Sequence, residues 1–285
     1  MNYNVFLKYG TQQLSEGGVP SAYLDCLILL EHVTGKDRSY ILAHPETIIS
    51  TQNKNVLDGY LANRRLHVPV AQIVQHVEFY GRRFFVNDKV LIPRPESETM
   101  IDNLKALVST EFRHSGTKKL TKRPLRILAA DVGTGSGALG ITAMLKVENL
   151  DCHLIDIDPE ALKVAKKNVV LHTITTSIIR ADLLKGNENN YEILLCNLPY
   201  VPDSFHINLA ANHEPSRAIF GGPDGLDLYR KLFDNLSITQ RKPLYILSEA
   251  LPTSHNSLMS IAEKHGYGLD KTDDFIQVFK AVAGN

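Results

Sequence analysis

The chain has 285 residues, 44% of them apolar and 22% charged, with 31 basic side chains against 31 acidic ones. This composition belongs to a globular chain long enough for two domains, and a net charge of zero gives no general attraction to nucleic acid or anionic membrane. No apolar run approaches the ~20 residues of a membrane-spanning helix. The start, Met1-Asn2-Tyr3-Asn4-Val5, has neither the basic nor the apolar region of a signal peptide. Three scattered cysteines, Cys26, Cys152 and Cys196, lack metal-ligand spacing. The expectation is a cytoplasmic protein with reduced thiols and no metal.

In chain order, the first 70 residues read as helical. Pro20-Ser21 introduces a helix over Ala22 to Val33 whose apolar face carries Leu24, Leu27, Ile28 and Leu30. Ser50 or Thr51 caps another that runs to about His67, with Pro69 beyond its end. Phe84-Phe85-Val86 and Val90-Leu91-Ile92, around the polar turn Asn87-Asp88-Lys89, predict a hairpin. Pro93-Arg94-Pro95 then leads into a helix from Glu96 to Val108. Thr110 to Pro124, with Lys118, Lys119, Lys122 and Arg123, reads as a solvated loop.

Beyond Leu125 strands and helices alternate. Strands are expected at Arg126 to Ala130, His153 to Ile155, Ser177 to Ile179, Glu192 to Cys196 and Leu244 to Leu247. Helices are expected at Ser136 to Lys146, Pro159 to Leu171 and Leu226 to Leu236. That alternation predicts an α/β domain with a mainly parallel, Rossmann-like sheet covered on both faces. Gly268-Leu269 and Phe275 to Phe279, separated by a polar turn, predict an antiparallel C-terminal strand pair. Three regions follow: a helical bundle over residues 1–75, a hairpin linker over 76–93, and an α/β domain over 94–285.

Two segments carry chemistry. Asp131-Val132-Gly133-Thr134-Gly135-Ser136-Gly137 follows a strand and opens a helix, where glycine lets a ligand approach the backbone and the helix end offers free N–H groups. The same spacing, Gly133-x-Gly135-x-x-Ala138, also fits a loose dinucleotide fingerprint. Asp156 ends the next strand, where a carboxylate can accept from both ribose hydroxyls; its neighbour Asp158, directly before Pro159, reads as a helix cap. Asp182 follows the third strand, placed to meet an adenine amino group, with Leu183 placed to cover the ring.

The second segment is Asn197-Leu198-Pro199-Tyr200, just past a strand's carboxyl end, where open α/β sheets place ligands. It presents an amide, a carbonyl and an aromatic face to a planar nitrogen, and it holds no group suited to the proton transfer that a nicotinamide dehydrogenase needs. Methyl transfer to nitrogen asks only for an in-line nucleophile held at ~3 Å.

Here the chain resembles the release-factor glutamine N5-methyltransferases of the HemK/PrmC family, class I methyltransferases. The resemblance rests on Phe79-Tyr80-Gly81-Arg82-Arg83-Phe84, Leu91-Ile92-Pro93-Arg94-Pro95-Glu96-Ser97-Glu98, the glycine turn, Asn197 to Tyr200, Glu214-Pro215 and Gly222-Pro223-Asp224-Gly225-Leu226. It implies S-adenosylmethionine as cofactor, with Gly133 to Gly137, Asp156, Leu183 and Asn197 lining its site and Asn197, Leu198, Pro199 and Tyr200 holding the substrate glutamine. It implies class I peptide chain release factors as protein substrate, with the helical N-terminal domain for partner recognition. The neutral charge and the lack of a long apolar run set the expectation of no nucleic-acid or membrane partner, and a monomer is the default. Three departures stand out. Leu198 replaces the first proline of the family's Asn-Pro-Pro-Tyr, Glu249-Ala250-Leu251 replaces Glu-x-Gly, and no Asp-x-x-Gly-x-x-Arg segment is recognisable around Asp273 to Val278. Two competing readings are an adenine N6-methyltransferase and a catalytically weakened binding module of the same fold.

Overall fold

A computed structural model of the chain describes residues 1–112, 126–237 and 242–282. The basic cluster at Lys118, Lys119, Lys122 and Arg123 lies outside them. Two compact units are present, Met1–His76 with Ile207–His213, and Val77–His206 with Glu214–Asn285.

The first unit is helical, with α1 (Tyr3–Glu16), α2 (Ala22–Thr34), α3 (Arg38–Ala43), α4 (Thr51–Arg65) and α5 (Val70–Val74). Short polar residues start these helices by accepting an otherwise unpaired N–H: Asn2 from Val5 (2.9 Å), Asp37 from Tyr40 (2.7 Å) and Ser50 from Asn53 (3.1 Å). The core between them holds Phe6, Leu14, Leu29, Leu30, Ile41 and Leu57, all fully buried. Arg64 Nε donates to Asp25 Oδ2 at 2.7 Å inside that core, so neither buried charge is left without a counterpart.

The second unit opens with a two-stranded sheet, β1 (His76–Phe79) and β2 (Arg82–Phe85). This corrects the expected hairpin, which is one strand too late. The real turn is Tyr80-Gly81, with φ of 51° and 71°, the positive pair that a tight hairpin requires. Tyrosine is strained in that region. Its N–H donates to Glu98 Oε1 (2.7 Å) and its hydroxyl to Asp102 Oδ1 (2.6 Å), which holds the conformation. Residues 90–92 are not a strand, because the Ile92 N–H donates to the Glu214 carboxylate at 2.8 Å rather than to a neighbouring strand.

The remaining elements are α6 (Glu98–Leu107), β3 (Ile127–Val132), α7 (Ala138–Lys146), β4 (Leu150–Asp156), α8 (Pro159–Leu171), β5 (Ile178–Arg180), β6 (Ile193–Cys196), α9 (Asp227–Ser237), β7 (Tyr245–Glu249), α10 (His255–Lys264), β8 (Tyr267–Asp273) and β9 (Ile276–Ala281). The sheet order is β5-β4-β3-β6-β7-β9-β8, parallel except for β9, which runs antiparallel to both β7 and β8. The predicted parallel sheet with an antiparallel C-terminal pair is therefore present. β6 and β7 are buried at every position, as strands covered on both faces must be. Helix α10 has no counterpart in the sequence reading; it buries only Leu258 and Ala262, too few to give a visible period.

From β3 the chain winds outward through β4 and β5, then returns to place β6 on the other side of β3. The gap between the carboxyl ends of β3 and β6 is the switch point at which such sheets bind ligands. Val132 pairs with Cys196 in register, so the glycine turn and Asn197 leave the sheet side by side. Among the described residues no helix is long and apolar enough to cross a membrane, and no cluster of His, Cys, Asp and Glu could hold a metal ion. The three cysteines are buried and unbonded to one another.

Candidate active site

A cavity of about 580 Å³ opens at the switch point. Its wall contains Gly133, Thr134, Gly135, Ser136, Asp156, Asp182, Leu183, Asn197, Leu198 and Pro199, all singled out from the sequence. Two other predicted residues are placed differently. Gly137 (φ 82°) caps α7, and a Cβ there would press on Ile141, Ala165 and Leu154, so it serves packing under the turn. Tyr200 turns its hydroxyl into the protein, donating to Glu249 Oε1 at 2.9 Å.

The glycine turn is held from below by Asp131. Its Oδ2 accepts from Thr134 Oγ1 (2.6 Å) and from the Gly140 N–H (2.9 Å), and the residue is fully buried. Burial pushes its carboxyl up to about 6, against the opposing pull of Thr134 and Gly140. A carboxyl raised above its unfolded value binds its proton more tightly in the fold, so it destabilises the fold increasingly as pH rises from about 4 to about 6. Asp131→Asn keeps an acceptor oxygen without the charge. Its stability relative to wild type should rise by ~3 kcal/mol between pH 4 and pH 7, read from urea melts across that range; a pH-independent difference would refute the raised value.

Asp156, at the end of β4, accepts from the Gly135 N–H through Oδ2 and from the Asp158 N–H through Oδ1, both at 2.9 Å. Burial raises its pKa, and these two amides oppose the shift. Asp158 is the N-cap of α8, accepting from Glu160 at 3.0 Å, and it also pairs with Arg217. Asp182 accepts from Lys231 Nζ of α9 at 2.6 Å. Arg217 and Lys231 both line the cavity, and the sequence reading missed them because nothing local marks a cation whose partner lies 59 or 49 residues away.

The residues fit an adenosine-bearing cofactor. Gly133 and Gly135 have φ of 74° and 54° on the cavity wall, and a Cβ on Gly135 would meet no protein atom within 4 Å, so the open side of the turn is cavity. Two carboxylates, Asp156 and Asp182, stand on the same wall as the apolar Leu183.

Asn197 donates from Nδ2 to Ser97 Oγ at 2.9 Å. Leu198 is 2% exposed, and its Cδ2 lies 3.1 Å from where a Cβ on Gly133 would sit, so the side chain that replaces the family's proline ties the two loops together. Behind the tetrapeptide runs the second glycine segment. Val201 N donates to Ile219 O (3.0 Å) and Gly221 N to Val201 O (2.9 Å). A Cβ on Gly221 would lie 2.2 Å from the Pro199 carbonyl oxygen, and one on Gly225 2.1 Å from that of Tyr200. The Tyr229 hydroxyl reaches the carbonyls of Cys196 (2.9 Å) and Glu249 (2.6 Å), pinning the ends of β6 and β7. Glu214, buried, accepts from the Ile92 N–H and from Arg94 Nη2 (2.5 Å), which joins the Ile-Pro-Arg-Pro segment to Glu214-Pro215.

Residues 6–74 match the PrmC N-terminal domain, and residues 114–214 the methyltransferase small domain. The chain is 33% identical over 245 residues to the release factor glutamine methyltransferase of Bacillus anthracis, covering 84% of this chain and 82% of the relative. Identity to the enzyme of the same name from Bacillus subtilis is 29%, covering 85% and 83%. A bifunctional methyltransferase of Rickettsia bellii is 29% identical over 99% of this chain, which spans 54% of that protein. Among solved structures, the hMettl16 catalytic domain in complex with the MAT2A 3'UTR hairpin 6 shares the fold (TM-score 0.53, 13% identity, 79% of this chain and 83% of that one). The chain belongs to the release factor glutamine methyltransferase family and is an S-adenosylmethionine-dependent methyltransferase.

Proposed function

We propose that the chain methylates the side-chain amide nitrogen (N5) of the glutamine in the Gly-Gly-Gln loop of class I peptide chain release factors. The observation that carries this reading is Asn197, held by Ser97 on the wall of the cavity that the glycine turn also lines. On this reading Gly133 to Ser136 admit the cofactor to the backbone, Asp156 accepts from its ribose hydroxyls, Asp182 meets its adenine amino group, and Leu183 covers the ring. The bound sulfonium supplies an electrophilic methyl group.

An amide nitrogen is a poor nucleophile because its lone pair is delocalised into the carbonyl. The Asn197 Oδ1 and the Leu198 carbonyl accept its two N–H bonds, which fixes the nitrogen and favours the positive charge that develops on it. Leucine keeps the carbonyl that a proline would offer at 198. Tyr200 packs over the flat amide. The proton leaves after transfer, so no strong base is needed.

Residues 1–75 are assigned to recognition of the release factor, residues 76–93 to a linker and residues 94–285 to methyl transfer. The match of residues 6–74 to the PrmC N-terminal domain supports the first of these. The deciding experiment is transfer of labelled methyl from S-adenosylmethionine to a purified release factor, with a Gly-Gly-Ala version of its loop as control. Label on the first alone is expected. Label on an oligonucleotide instead would favour adenine as acceptor, and cofactor binding without transfer would favour a binding module.

A further inference from the structure

We infer that Glu249 and Ser97 are positioning residues for methyl transfer, together fixing which end of the Asn197 amide faces the acceptor. This deepens the proposed function and rests on its reading of Asn197 as the group that accepts from the substrate amide.

The two ends of an asparagine amide are nearly the same size, and only hydrogen bonding decides which points where. Asn197 must turn its oxygen to the cavity, because the acceptor amide brings N–H groups. In the structure its Nδ2 donates to Ser97 Oγ at 2.9 Å. That bond is one-directional only if the single Ser97 proton points elsewhere; a serine that donated to Asn197 would attract Oδ1 and leave an NH₂ facing the substrate NH₂.

Glu249 supplies the other direction. It ends β7, is 1% exposed, and its Oε1 accepts from the Tyr200 hydroxyl at 2.9 Å. Burial raises the pKa of its carboxyl, and nearby Glu96 adds to the shift, while Ser97, Tyr200 and Asn197 oppose it by favouring the charged form. Its Oε2 is buried and has no hydrogen-bond partner among the described residues, which leaves it open to accept a proton from the neighbouring Ser97 hydroxyl. In its ionised form the carboxylate only accepts, so Ser97 can then give its proton to Glu249 and receive the one from Asn197. Polarity then runs one way, from Asn197 through Ser97 to Glu249, while Tyr200 at the other end of the tetrapeptide is tied to the same carboxyl. Residues 97, 197, 200 and 249 come from three separate segments of one unit, and the sequence reading gave neither Ser97 nor Glu249 a role.

The test compares Glu249→Gln, Ser97→Ala, Ser97→Thr and Asn197→Ala, measuring kcat, KM for a purified release factor, and cofactor affinity by calorimetry. Glutamine matches glutamate in shape but can donate to Ser97, so Glu249→Gln should lower kcat by about 10-fold or more while S-adenosylmethionine binds as in wild type. Ser97→Ala should do the same, and Ser97→Thr, which keeps the hydroxyl, should restore most of the rate. The inference is overturned if Glu249→Gln and Ser97→Ala turn over normally, if threonine is no better than alanine, or if cofactor affinity and thermal stability fall in step with kcat. Near-normal rates in Asn197→Ala would instead overturn the reading on which the inference rests.

Discussion

Replacing Asn197 by alanine should slow methyl transfer by ~10²-fold or more, the scale of losing one preorganised polar contact to a developing charge. The side chain leaves the sheet directly after β6, beside the glycine turn, and Ser97 holds its amide at 2.9 Å. Alanine keeps the backbone, including the Leu198 carbonyl, so one of the two acceptors proposed for the substrate N–H groups survives and some activity should remain. The fold should survive too, because Asn197 is only half-buried and the strand before it is packed independently through Ile193 to Cys196. The effect should fall on kcat more than on the KM for S-adenosylmethionine, whose proposed site draws mainly on the segments after β3, β4 and β5. Steady-state rates with a release-factor substrate, alongside thermal melts, check this. A folded variant with near-wild-type turnover would remove Asn197 from the reaction.

The second large effect is expected at Gly225, which does not itself line the cavity. It has φ 80°, a conformation that costs an alanine ~1–2 kcal/mol. A Cβ there would stand 2.1 Å from the Tyr200 carbonyl oxygen and 2.8 Å from its carbon. Both are backbone atoms and cannot swing aside as a flexible side chain would. Gly225→Ala must therefore push the Tyr200 backbone away from its observed position, and a misplacement of ~1 Å in reacting groups is worth ~10²-fold in rate. We expect a loss of that order in kcat, with cofactor affinity by calorimetry close to wild type, because Gly133, Gly135 and Asp156 do not touch residue 225. A variant that melts normally and turns over normally would show that the tetrapeptide tolerates the shift.

Both predictions depend on contacts that differ greatly in how visible they are along the chain. Asn197 was legible from its place after an apolar run, and the glycine turn from its place between a strand and a helix. Gly222 to Leu226 was recognisable only as a family marker, and the roles of Gly225 and the adjacent Gly221 as backstops to Tyr200 and Pro199 emerge only in three dimensions. The hairpin shows the same limit. Asn87-Asp88-Lys89 has ordinary turn composition, whereas Tyr80-Gly81 forms the turn because Glu98 and Asp102, 18 and 22 residues further along the chain, hold a strained tyrosine in place.

The sequence by itself determined the alternation of strand and helix, the parallel sheet with its antiparallel end, the glycine turn and the polar tetrapeptide, because apolar periodicity and backbone restrictions act between near neighbours. Tertiary structure alone decided which distant groups complete the site. Ser97 meets Asn197 across 100 residues, Glu249 meets Tyr200 across 49, and Lys231 meets Asp182 across 49. Hydrogen bonds and ion pairs act over a few ångströms in space, and no local pattern in the chain encodes partners that only the closing of the sheet brings together.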